Sequence, residues 1–305
     1  MPEVIDSLYI QALTGLHPGS GTALGVVDLP VQRERHTGWP VIPASSLKGV
    51  MRAATRPANG AGRDTWIVVF GPEKLDEADD KQAFAGALAL TDARILAFPV
   101  RSLRGVFAWV TCPAVLERFR RDIALMTRPT TVPATVTVTE SLTPGTVLCA
   151  ENSPLLIGET GKMILEEFDF ERMGDLGGWD DALAQGVDPE ACERFKKNLA
   201  ILHNDDFGHF VQHATEVVAR VGLDAKTKTV RDGALFYEEV LPPETLFHAL
   251  VMADASRRKD HPMTAEEVTG WLRGTVRDVR DVIQIGADET IGRGFCRLTW
   301  QGEGA

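Results

Sequence analysis

The chain has 305 residues, 44% of them hydrophobic and 25% charged, which suits one elaborated globular domain or two around a sizeable core. No apolar run approaches the length needed to cross a bilayer, and the start Met1-Pro2-Glu3 lacks the basic and apolar regions of a secretion signal, so a cytoplasmic protein with no membrane partner is expected. The net charge of −11 at first argues against a nucleic-acid partner.

The charge is unevenly spread. Residues 1–128 carry 15 Lys and Arg against 13 Asp and Glu, and the remainder carries 17 against 30. Between 29 and 63, Arg33, Arg35, Lys48, Arg52, Arg56 and Arg63 face a lone acid, Glu34. A local basic stripe on an acidic chain fits a narrow, guided RNA contact far better than non-specific coating of DNA. Cys112, Cys149, Cys192 and Cys296 are scattered, with no C-x-x-C pair. That spacing argues against a disulfide framework and against a cysteine zinc site.

Residues 4–13 read as a strand. A long glycine-bearing loop follows, HPGSGTALGVVDLPVQRERHTGWPVIPASSLKG, from His17 to Gly49. It leads into a helix over 47–55, with Ser45 or Ser46 placed to cap the first amides. Leu47, Val50, Met51 and Ala54 form its apolar face, while Lys48, Arg52 and Arg56 recur at four-residue spacing on another. Strand-like runs at 87–98 and 105–111, joined by 101–104, predict a hairpin. Pro113 then opens a helix with Val115, Leu116, Phe119, Ile123 and Leu125 at helical period. The order strand, helix, strand, strand, helix predicts an α+β fold that opens like a ferredoxin-like or RRM-like split β-α-β unit.

Residues 129–200 change composition and read as an insertion on that core. Asp232-Gly233 between 227–230 and 234–237 predicts a hairpin turn. The sequence from His203 to His213 predicts capping and then packing of a helix that continues through Ala214, Val217, Val218 and Val221. Thr264-Ala265-Glu266-Glu267 is a capping box that opens a helix with Val268, Trp271, Leu272 and Val279. Strands at 283–286 and 295–300 flank a glycine-rich turn.

Several groups in this order carry chemistry. The first-turn amides of the 47–55 helix, beside Lys48 and Arg52, can hold an anion, with Arg33 and Arg35 adding charge from the loop. The same face also reads as an ordinary solvated surface. Asp28, set among apolar residues, is either a turn acceptor or a metal-binding or proton-handling group near a phosphodiester. RNA brings its own nucleophile, the 2′-hydroxyl, so one acid and a cation could suffice. His17 either orders its loop by a hydrogen bond or assists as a general acid/base. Gly292, Arg293 and Gly294 lie in a turn that reads as a plain β-turn or as an anion nest. His209 and His213 have zincin spacing, but Phe210 stands where the zincin Glu belongs.

Taken together, the HPGSG…GVVD…QRERHTG-x-PVIP-x-SSLKG-x-MR block, Phe70-Gly71-Pro72, Leu90 to Arg94, Pro99 to Ser102, Leu235 to Glu239 and the terminal IGADETIGRGFCRL resemble the RAMP superfamily of CRISPR effector proteins. Within it they are similar to the backbone subunit of the type III-B Cmr complex. The resemblance implies a ferredoxin-like/RRM-like palm over 1–128 and 240–305, with residues 129–239 inserted as fingers and a thumb β-hairpin, in a single 1–305 RAMP chain. It implies binding of a guide crRNA along its phosphates and head-to-tail stacking of further copies beside other Cmr-complex subunits. It also implies cleavage of the paired single-stranded target RNA at regular intervals with a divalent metal ion, Mg2+ or Mn2+. On this resemblance Asp28 is the cleaving and metal-holding acid, and His17, Glu238 and Glu239 are its helpers. Ser45, Ser46, Lys48, Arg52 and the Gly292-Arg293-Gly294 turn would contact the guide backbone. A non-catalytic RNA-binding subunit of the same kind of complex is the alternative.

Overall fold

The structure is a computed structural model that describes residues 2–58, 60–72, 84–128, 132–133, 142–158, 161–224, 226–227 and 229–301, with the backbone alone at Asp232 and Gly233. In chain order it begins β1 (Val4–Ala12), β2 (Val41–Ile42), α1 (Ala44–Ala54), α2 (Arg63–Phe70), β3 (Leu88–Leu90), β4 (Ala93–Arg101), β5 (Phe107–Thr111) and α3 (Pro113–Ile123). There follow β6 (Thr146–Cys149), β7 (Leu156–Ile157), β8 (Lys162–Leu165), β9 (Phe168–Gly174), α4 (Trp179–Ala184), α5 (Cys192–Asn198), β10 (Leu199–Leu202) and α6 (Asn204–His213). The chain closes with β11 (Glu216–Leu223), β12 (Val230–Val240), β13 (Leu246–Ala253), α7 (Ala265–Asp278), β14 (Val282–Gln284) and β15 (Phe295–Trp300).

Among the described residues, thirteen strands form one mixed sheet and β11 and β12 form a separate ribbon. The long path runs β14-β15-β1-β13-β4-β5-β10-β6-β9-β8-β7, with β2 against β4 and β3 against β13. The fold is therefore α+β, and the first strand lies deep inside the sheet. β1 pairs antiparallel with both β13 and β15, and its apolar residues are buried on both sides. The α7 helix packs over β1 and β13. Its capping box is complete, with Thr264 and Glu267 bonding each other's backbone amides.

Four expectations are corrected. The β4–β5 hairpin forms, pairing Phe98 with Val110, but β5 lies on the outer side of β4 and continues to β10. The strand between β1 and β4 is β13, which arrives some 145 residues after β4 and is buried on both faces. Such a two-sided apolar strand seeks the sheet interior. The α1 helix starts at Ala44 with Pro43 as its N-cap, so Ser45 and Ser46 sit in the first turn and do not cap it. Asp92 caps instead, its Oδ1 accepting from the Ala44 amide at 2.7 Å.

The predicted Asp232-Gly233 turn is displaced. Both residues lie inside β12, and the ribbon reverses around Asp224, whose Oδ1 accepts from the amides of Lys226 and Thr227. An aspartate bonded to amides two and three residues on makes a tighter local turn than the Asp-Gly pair demands. Lys228, in one predicted arm, lies outside the described residues, as does most of 129–141. The α6 helix stops at His213, and Val217 to Val221 continue as strand β11. The helix start is capped as expected, by His203 Nδ1 accepting from the Asp205 amide. The segment read as an insertion contributes β6 to β10, which extend the same sheet beyond β5.

A buried polar chain crosses this core. Ser7 Oγ lies 2.7 Å from His248 Nε2, whose Nδ1 faces Asp122 Oδ2 at 3.6 Å, and Arg94 closes on the same carboxylate. A neutral ring with its proton on Nδ1 satisfies both neighbours, the Ser7 hydroxyl donating to Nε2. Ser7 is wholly buried, so this Ser-His-Asp array is structural. Burial pushes the His248 pKa below its ordinary value, against the pull of Asp122. The unfolded chain then takes up the proton first, and stability drains away as pH falls through about 6.5. The melting midpoint should fall across that pH, and His248→Gln should flatten the slope; thermal melts on either side measure both.

Candidate functional site

The loop from His17 to Gln32 is laid down on β12. Asp28 and Leu29 donate their amides to the Tyr237 carbonyl at 3.1 and 3.0 Å, and Glu239 returns its amide to Leu29 O at 2.9 Å. Asp28 Oδ2 accepts from the Tyr237 amide at 2.7 Å. That bond reaches across to another strand, so Asp28 is not a local turn acceptor. Among the described residues its Oδ1 has no hydrogen-bond partner, and the side chain is half-buried.

Beside this loop opens a cleft of about 530 Å³ lined by His17, Ser46, Arg220, Phe236, Glu238 and Asp288, among others. His17 is buried, with Nδ1 2.6 Å from the Glu239 carbonyl oxygen. A carbonyl only accepts, so Nδ1 donates to it and Nε2 is the ring nitrogen left facing Glu238. Nε2 lies 3.8 Å from Glu238 Oε1. The other Glu238 oxygen meets Arg220 Nε at 3.2 Å and Arg293 Nη1 at 3.5 Å, and Arg220 Nη2 bridges to Asp288 Oδ1 at 2.5 Å. Burial, then the neighbouring Asp288, holds the Glu238 pKa above its ordinary value; His17 and Arg220 pull it down less strongly.

The structure thus brings His17, Ser46 and Glu238 to one cleft, with Arg293 bonded to Glu238 beside it and Asp28 on its bordering loop. It does not bring Glu239 there. Successive residues of a strand face opposite ways, so Glu239 points behind the cleft to Arg33, Thr215 and the Val31 amide. Arg33 is likewise turned inward, giving three of its five N–H donors to Gly38 O, Val211 O and Glu239. Lys48 donates to Leu88 O at 2.7 Å, and burial, then Arg52, lowers its pKa. Arg52 stacks 4.5 Å over the Trp66 ring. Arg35 and the two serines Ser45 and Ser46 are exposed.

The anion-nest reading of the last turn is also revised. Gly292, Arg293 and Gly294 donate their amides to Glu289 O, Asp288 O and Gly15 O. The first two bonds close the turn on itself, the third ties it to the stretch just after β1, and the Arg293 side chain reaches Glu238. His209 packs edge-on to Phe168 and its ring centroid is 4.7 Å from that of His213. Among the described residues, no three His, Cys, Asp or Glu side chains converge as a metal cage. The donor set fits a hard divalent cation only as one ligand, Asp28 Oδ1, because such ions keep waters and take substrate phosphates.

Arg220 and Asp288 are the site residues that sequence reasoning missed. Asp288 stood inside the quoted IGADETIG run, in left-handed backbone at φ 67°. Arg220 offered no local sign, since only the β11–β12 pairing with Phe236 aims it at Glu238.

Comparisons with known proteins follow the same outline. A family model of the RAMP superfamily matches residues 9–297. The chain belongs to the RAMP superfamily. It is 40% identical over 299 residues to the CRISPR system Cmr endoribonuclease Cmr4 of Pyrococcus furiosus, covering 95% of this chain and 93% of that one. The crystal structure of oligomeric Cmr4 from Pyrococcus furiosus superposes with a TM-score of 0.70 at 31% identity, over 97% of each chain. A chain of the type III-B Cmr-beta complex bound to cognate target RNA shares the fold at 23% identity, with a TM-score of 0.70.

The RAMP chain depends on close backbone approach behind His17. Gly286 has φ 83°, and a Cβ there would overlap the His17 carbonyl oxygen. Gly286→Ala should destabilise the protein by about 1–3 kcal/mol and disturb the cleft; chemical denaturation gives the number.

Proposed function

We propose that this chain is the endoribonuclease subunit forming the backbone of a type III-B CRISPR effector complex. It holds a guide crRNA by its phosphates, stacks with further copies and other subunits of the complex, and cuts paired target RNA near Asp28. The 40% identity to a Cmr endoribonuclease over 95% of this chain supports the class. Base pairing with the guide selects the target, since backbone contacts carry no sequence information.

The antiparallel order β15-β1-β13-β4, with α1 and α7, supports a ferredoxin-like, RRM-like palm over 1–128 and 240–305. Residues 129–239 are then fingers, with the β11–β12 ribbon as thumb. The exposed first turn of α1, with Ser45 and Ser46, and the exposed Arg35 form the guide-facing set. Lys48, held by Leu88, adds its charge just past that helix end, while Arg52, stacked on Trp66, lies in the last turn.

The observation that carries the catalytic reading is the Asp28 carboxylate, fixed by one oxygen to the Tyr237 amide and open at the other. In the reaction the 2′-oxygen of the target attacks the adjacent phosphorus and the bond to the 5′-oxygen breaks. A cyclic 2′,3′-phosphate and a 5′-hydroxyl result; one proton leaves the 2′-hydroxyl and one reaches the 5′-oxygen. Asp28 orients the phosphodiester side of this site. His17 Nε2 is placed to take a proton, and Glu238, which keeps its proton more firmly than an exposed glutamate, to give one. A divalent cation, Mg2+ or Mn2+, would bind through Asp28 and neutralise charge on the phosphodiester.

In an assembled complex, Asp28→Asn should abolish target cleavage and leave target binding intact. Denaturing gels and a binding assay on the same preparation check this. Unchanged cutting overturns the assignment, and a wild-type complex that binds target with divalent metal yet yields no regularly spaced fragments favours the non-catalytic subunit.

A further inference from the structure

We infer that Arg33, half-buried, and Glu239, buried, are a positioning pair that holds the Asp28 loop and His17 against strand β12. The inference rests on the catalytic reading of Asp28 given above. Glu239 ties together segments that are far apart in sequence. Its Oε1 accepts from Arg33 Nη2 at 2.5 Å and Thr215 Oγ1 at 2.9 Å, and its Oε2 accepts from the Val31 amide at 2.9 Å. Its backbone completes the set, with the amide donating to Leu29 O at 2.9 Å and the carbonyl accepting from His17 Nδ1 at 2.6 Å. Of these three bonds to the loop, those to Leu29 and Val31 fall within three residues of Asp28.

Arg33 carries this hold to a second anchor. Its Nη1 donates to Gly38 O at 2.8 Å and Val211 O at 2.9 Å, so one guanidinium joins the loop to the last turn of α6. Glu239 is 6% exposed, and no other cation is in salt-bridge reach of it among the described residues. A buried carboxylate stripped of its only cation is strongly unfavourable, so removal of Arg33 should loosen what Glu239 holds. Neither side chain lines the cleft. They therefore act on the reaction through Asp28 and His17, and misplacement of reacting groups by about 1 Å can cost a hundredfold in rate.

The test uses reconstituted complex carrying Arg33→Ala, Glu239→Ala, both together, or Glu239→Gln. Single-turnover cleavage at saturating target and target affinity are measured on each. Each alanine variant should cleave at least about tenfold more slowly with affinity changed less than about twofold, and the double variant should be no slower than the slower single. Arg33→Lys should recover part of the rate. If Arg33→Ala weakens RNA binding and leaves the saturating rate unchanged, Arg33 is an RNA contact and the inference fails. If Glu239→Ala abolishes cleavage while Arg33→Ala is silent, Glu239 acts alone and the pair is wrong. Should the alanine variants not assemble, Thr215→Val and Arg33→Lys report the same division between rate and affinity. Asp28→Asn separates the two ideas: cleavage there overturns the catalytic reading, whereas a dead Asp28→Asn beside fully active pair variants overturns only the pair.

Discussion

A sixteen-residue loop keeps a defined shape here because β12 supplies it with backbone partners. Residues 28 and 29 give their amides to Tyr237 O, and Glu239 gives its amide back to Leu29 O. Loops of this length without helix or strand are usually mobile or functional. Pairing to the rim of a ribbon resolves that choice, placing one carboxylate oxygen of Asp28 on a fixed amide and leaving the other open. The cleft, the His17 tautomer and the Arg33–Glu239 pair all follow from the same register.

The electrostatics obey that register too. Alternation along β12 sorts two neighbouring glutamates into two environments. Glu238 sits among His17, Asp288, Arg220 and Arg293, where burial and a second carboxylate favour its protonated form. Glu239 meets one guanidinium and two other donors. Identical side chains, one residue apart, are thus given different partners by the face of the strand they occupy.

Much of the architecture was legible beforehand. The Thr264 capping box named a helix start because its two reciprocal bonds are local. The 295–300 strand and the β4–β5 hairpin were readable from apolar patterning. The Asp232-Gly233 turn misled because Asp224 offers its own amide-bonded reversal a few residues earlier. The serines before Leu47 looked like caps, yet the helix starts earlier, at Ala44, whose amide Asp92 takes from a different segment.

The sequence by itself determined the class of protein, the elements nearest the termini, and the block that carries much of the candidate site, from His17 through Asp28 to the α1 helix. Those features depend on contacts a few residues apart or on a run of residue types that survives as a pattern. Only the tertiary structure decided that β13 enters between β1 and β4, that Arg220 and Asp288 flank Glu238, and that Arg33 faces inward to Glu239 across 206 positions of chain. Local periodicity tells which side chains share a face, but not which distant segment that face will meet.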